Sequence, residues 1–64
     1  MKNKVPELRR ERALSQEDLA RAAGVSRQTI ISIEKGRYAP SLALAFTLSE
    51  IFETSIESMF MPGD

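Results

Sequence analysis

Between positions 27 and 35 one helical face carries side chains suited to reading hydrogen-bond patterns. Arg27, Gln28, Ile31, Ser32 and Lys35 fall on that face at the ~100° per residue of an α-helix. It holds no acid. An arginine can donate two parallel N–H groups to guanine, and a glutamine can pair in the same bidentate way with adenine. Ile31 is the odd member, because an isoleucine turned to solvent gains nothing in water. A thymine methyl would give it an apolar contact. The bland alternative is a solvated face with one stray apolar residue. Ile30 and Ile33, with Thr29 beside them, point the opposite way.

Catalytic chemistry is harder to find. The chain has no histidine and no cysteine. It therefore lacks the commonest general base, any thiolate nucleophile and the usual metal ligands. Glu50 and Glu57 sit on ordinary helix faces, and no nucleophile–base pair is evident. A 64-residue chain has room for one modest core and for no enclosed substrate cavity. The expectation is a protein that is not an enzyme and needs no metal or cofactor.

The formal charge of zero hides a division along the chain. Residues 1–37 hold all nine basic residues and five acids, a balance of +4. Residues 38–64 hold four acids and no base, a balance of −4. Such a split gives a polarised molecule with one face suited to an anion. No apolar run approaches the ~20 residues needed to span a bilayer. The basic start Met1-Lys2-Asn3-Lys4 is followed by no apolar signal segment. A cytoplasmic protein with no membrane association is expected.

Five short helices are expected to position the recognition face, in a single domain over residues 1–64. Asn3 stands as the cap of the first, with Pro6 in its first turn. Ser15 and Asp18 have capping-box spacing before the second. Leu19, Ala20 and Ala23 give its apolar face, and Gly24 ends it. Ser26 caps the third, which runs to about Lys35 with Gly36 as its terminator. Pro40-Ser41 opens the fourth, where Leu44, Leu48, Ile51 and Phe52 follow helical spacing. Ser55 caps a last turn containing Ile56, Met59 and Phe60. No stretch alternates long enough to be read as a strand. Ala20, Gly24 and Ile30 have the spacing of a helix-turn-helix over about residues 16–35. Small Ala20 lets the helices approach, and Gly24 can take the positive φ of a sharp turn.

Leu14-Ser15-Gln16-Glu17-Asp18-Leu19-Ala20, Gly24-Val25-Ser26, Thr29-Ile30 and Ile33-Glu34-Lys35-Gly36 with Pro40 resemble the Cro/CI-type (XRE-like) helix-turn-helix family. The resemblance covers about residues 3–60. It implies an all-α, compact five-helix fold of the lambda-repressor type that binds double-stranded DNA in a sequence-specific way. It implies base contacts from Arg27, Gln28 and Ser32, with Ile31 near a methyl. Phosphate contacts are implied for Gln16, Lys35 and Arg37, and with them for Ser26 and Thr29. Arg9 and Glu34 match a structural pair that ties two helices together. A small transcriptional regulator follows, a repressor by preference, acting as a homodimer on a near-palindromic operator. A protein partner is the competing expectation: an antitoxin-like module whose acidic half masks a toxin and whose DNA binding is secondary.

Other residues have two readings. Lys2 and Lys4 reach a phosphate or keep a terminus soluble. Arg10 and Arg12 are solvated or lie near backbone phosphates. Tyr38 is expected to pack under its loop rather than to stack on a base. Ile56, Met59, Phe60 and Met61 are core residues, or some of them form a self-association surface. Glu53 stands where many relatives have glycine or asparagine. Ser49 and Pro6 also depart from the family pattern, away from the recognition face.

Overall fold

A computed structural model describes residues 1–62. Gly63 and Asp64, the latter one of the acids counted above, lie outside the described residues. Five helices run in sequence: α1 (Val5–Glu11), α2 (Gln16–Ala23), α3 (Arg27–Glu34), α4 (Leu42–Phe52) and α5 (Ile56–Met59). Two short strands close the ends of the fold, β1 (Lys2–Asn3) and β2 (Phe60–Met61). They pair antiparallel, Lys2 opposite Met61 and Asn3 opposite Phe60. The five helices match the expected all-α fold, and the strands correct only the expectation of no strand. A two-residue strand has no period, so no alternation can announce it.

Serines start four of the helices. Ser15, Ser26, Ser41 and Ser55 each accept a hydrogen bond from the amide three residues on, at 2.9, 3.1, 3.1 and 3.2 Å. Each bond satisfies a donor that the helix itself cannot pair. At α2 the capping box is complete, because Asp18 accepts from the Ser15 amide at 3.0 Å. That backbone bond holds the Asp18 carboxyl below the usual range, with the Ser15 hydroxyl second and Arg21 a minor contributor.

The start of α1 differs from expectation. Lys4 holds the cap position and supplies no side-chain bond. Asn3 lies one residue earlier, in β1, and its side-chain oxygen Oδ1 accepts from the Val5 amide at 3.1 Å. Its Nδ2 reaches across the fold to donate to the Ile33 carbonyl at 2.8 Å. Arg12 lies just past the end of α1 and donates to the Phe52 carbonyl at 3.2 Å.

The helices share one core. Val5 from α1, Leu19 and Ala20 from α2, Ile30 and Ile33 from α3, Leu44, Leu48 and Phe52 from α4, and Met59 from α5 pack together with Phe60 of β2. Met59 and Phe60 are therefore interior, while Ile56 and Met61 are half-buried. The exposed large apolar residues are instead Met1, Tyr38, Leu42 and Phe46. Leu42 and Phe46 lie one turn apart on α4, near an open apolar groove of ≈ 450 Å³ lined in part by Leu42, Ala45, Ile56 and Phe60.

Two helix ends place side-chain-bearing residues in the left-handed region: Ala13 at φ 57° and Glu53 at φ 53°. The second explains why glycine or asparagine suits position 53, since a Cβ crowds the backbone there. Glu53→Gly removes that strain but adds freedom to the unfolded chain, so stability rises by about 0.5–1 kcal/mol. Urea unfolding of both proteins measures the difference. An unchanged midpoint would show that the helix end is not strained.

Candidate nucleic-acid interface

The interface begins with the turn between α2 and α3. Gly24 ends α2 at φ 74°. The Val25 amide donates to the Ala20 carbonyl at 3.0 Å, which closes the last turn of α2. Ser26 then caps α3. Its hydroxyl is also paired with the Thr29 hydroxyl at 2.9 Å. Whichever oxygen donates in that pair, one hydroxyl proton is left for another acceptor.

The other end of α3 is fixed by charge. Arg9 Nε donates to Glu34 Oε2 at 2.7 Å, and Arg9 Nη2 donates to Oε1 at 3.3 Å. The same guanidinium donates from Nη1 to the Leu14 carbonyl at 2.9 Å. Gln16 Nε2 adds a third bond to the carboxylate, on Oε1 at 3.1 Å. One group thus joins α1, the α1–α2 loop, the start of α2 and the end of α3. The side chains of Arg9 and Glu34 are only 12% and 8% exposed. The pair is far better shielded than a surface ion pair, whose contribution is ~0–1 kcal/mol.

With Glu34 turned inward, the outward side of α3 holds no acid. Arg27 and Gln28 are exposed at its first turn, and Lys35 is exposed at its end. Ile31 and Ser32 are half-buried. Gln28 Nε2 lies 3.5 Å from Ser32 Oγ, a long contact that leaves both side chains available. Arg37 is exposed in the loop that follows. Gln16 is half-buried beside Glu34, and its carboxamide has a second N–H to give. The residues expected at bases therefore share one helix, and those expected at phosphates lie at its two ends and at the start of α2.

Tyr38 departs from expectation. It does not pack under its loop but is 46% exposed, facing Ser26, Gln28, Thr29 and Ser32 across a groove of ≈ 220 Å³. Residue type alone gave no signal for this, because the loop's path places the ring.

A surface helix presented by a short turn from a supporting helix defines a helix-turn-helix domain. The sequence model of the helix-turn-helix family matches residues 7–58. The chain is 55% identical over 64 residues to an uncharacterized HTH-type transcriptional regulator of Methanocaldococcus jannaschii, covering 100% of this chain and 97% of that protein. It is 50% identical over 60 residues to the uncharacterized HTH-type transcriptional regulator YgzD of Bacillus subtilis, covering 94% and 91%. Among solved structures, the restriction-modification controller protein C.AhdI from Aeromonas hydrophila matches with a TM-score of 0.79 and 30% identity, covering 89% of this chain and 86% of that one. The chain belongs to the Cro/CI-type (XRE-like) helix-turn-helix family of DNA-binding transcriptional regulators. Among the described residues, no helix is long and apolar enough to cross a membrane.

Removing one partner of a shielded ion pair strands the other charge, at a cost of about 3 kcal/mol. Arg9→Met is therefore expected to lower the unfolding free energy by that amount, read from urea denaturation. A loss below about 1 kcal/mol would place the pair with ordinary surface bridges.

Proposed function

We propose that this chain is a sequence-specific repressor that reads double-stranded DNA with α3 in the major groove. The observation that carries the reading is the acid-free outer side of α3, with basic side chains exposed at both ends. Arg27 pairs with guanine and Gln28 with adenine, while Ile31 lies against a thymine methyl and Ser32 bonds a neighbouring base edge. Lys35 and Arg37 neutralise phosphates at one end of the helix. Gln16, Ser26 and Thr29 donate to phosphates at the other, and these contacts fix how deeply α3 sits. Occupying a promoter in this way blocks transcription.

A single eight-residue helix reaches only a few base pairs, too few to select a site in a genome. A symmetric pair on a near-palindrome reads two half-sites about one helical turn apart, roughly 34 Å. The longest extent of the fold, 29 Å, is on that scale. Leu42 and Phe46, 69% and 55% exposed beside the apolar groove, supply a surface for the second copy. Covering such residues on association removes apolar area from water.

The deciding experiment is selection from a random duplex pool, with the unaltered protein and with Arg27→Ala and Gln28→Ala combined. An enriched motif of two inverted half-sites, lost or altered in the double variant, is the expected result. Salt-sensitive binding without enrichment would defeat the repressor reading and favour a partner-dependent, antitoxin-like module. Sedimentation tests the pairing separately. Leu42→Asp with Phe46→Asp is expected to convert a dimer into a monomer, and a dimer that survives both changes does not use α4.

A further inference from the structure

The loop after α3 places an aromatic ring beside the recognition helix, outside every role assigned so far. Gly36 takes the left-handed conformation at φ 76°, and the Arg37 amide donates back to the Ser32 carbonyl at 3.0 Å. This reversal carries Tyr38 alongside the exposed turns of α3. A Cβ at position 36 would stand 3.0 Å from the Met1 carbonyl oxygen, so the reversal is tightly enclosed as well as left-handed. Ala39 precedes Pro40, which restricts the backbone on the far side of the ring.

The resulting groove has a distinct chemistry. Ser26, Thr29, Ser32 and Tyr38 bring four hydroxyls, Gln28 brings an amide, and no charged side chain lines it. The Tyr38 hydroxyl makes no hydrogen bond to a described residue. One hydroxyl proton of the Ser26–Thr29 pair is also available, as shown above. A phosphodiester accepts from several donors at once and offers none of its own, whereas each base pair presents a fixed pattern of acceptors and amino donors. The exposed ring adds an apolar wall of the kind a deoxyribose can lie against.

We propose that Tyr38 is a further DNA contact, whose hydroxyl donates to a backbone phosphate seated in this groove while its ring covers the adjoining sugar. The inference rests on the reading that α3 binds duplex DNA. It differs in kind from the contacts of Lys35 and Arg37, because a neutral phenol bonds a phosphate without replacing a counterion. Its contribution therefore adds affinity at every sequence and leaves the salt dependence alone.

The test is fluorescence-anisotropy titration of labelled duplexes, the enriched operator with its single-base variants or a set of generic sequences, across a salt series. The unaltered protein, Tyr38→Phe, Tyr38→Ala and Arg37→Ala are compared. Tyr38→Phe is expected to raise Kd about tenfold, the effect of one hydrogen bond to a charged group. Its salt slope and base preference stay unchanged. Tyr38→Ala weakens binding further, because the ring is lost as well. Arg37→Ala weakens binding and flattens the slope by about one. An unchanged Kd for Tyr38→Phe overturns the phosphate contact, and a changed preference at one base pair makes Tyr38 a base reader instead. Equal affinities for Tyr38→Phe and Tyr38→Ala remove the sugar contact. Failure of the unaltered protein to bind any duplex overturns the DNA reading and this inference together. Binding that is indifferent to Tyr38 overturns only the latter. Tyr38 lies outside the core, so matching circular-dichroism melting curves are expected for the variants.

Discussion

The shielded carboxylate of Glu34 is the constraint on which the rest of the structure depends. It closes α3, receives both edges of the Arg9 fork and accepts from Gln16 at the start of α2. Apolar packing between α2 and α3 permits a range of small rotations, because contacts among Leu19, Ala20, Ile30 and Ile33 are not directional. The bidentate Arg9 fork is directional and orients α3 against α1, and the Gln16 bond to the same carboxylate ties α3 to the start of α2. Desolvating two charges is costly, and that cost offsets much of their attraction. It also removes from the surface the only acid that α3 possesses.

A second set of bonds holds the end of the same helix and the residues just after it. Asn3 donates to Ile33, one residue before Glu34, and the Met1 amino group donates to Gly36 two residues after it. Pairing of β1 with β2 keeps the N-terminal segment in place to do so. The end of α3 is thus gripped through the Glu34 side chain and through the Ile33 and Gly36 carbonyls. Its start is gripped by Ser26. The side chains between those points are left to project from a backbone fixed at both ends.

Much of this was legible in the sequence, and the division follows the range of the interactions. The serine caps, the glycine terminators and the helical spacing of Leu44, Leu48 and Phe52 act within a few residues, and each left a local pattern. Arg9 and Glu34 lie 25 positions apart and were matched through family resemblance rather than spacing. Asn3 satisfies the first amide of α1 from one position before the cap, as its residue type suggests, whereas its bond to Ile33, 30 positions away, leaves no local pattern. The strands were too short to show a period. Residue type places Tyr38 under its loop, because an aromatic ring in a loop usually has somewhere to pack. Here the Gly36 reversal and the Arg37–Ser32 bond turn it outward, a path that residue types do not encode. On α4 Leu42 and Phe46 are exposed, while α5 folds Met59 and β2 folds Phe60 onto the core.

Arg27 and Gln28 have a property that follows from their place at the start of α3. They are exposed, they contribute nothing to the core, and the bonds that hold the helix run through other residues. Mutation there meets almost no selection for folding, whereas mutation at Arg9, Glu34 or Ile33 meets it in full. Lineages that inherit this scaffold can therefore drift at these two positions while the frame stays fixed. A duplicated copy could then acquire a new preference by a few substitutions, without passing through an unfolded ancestor.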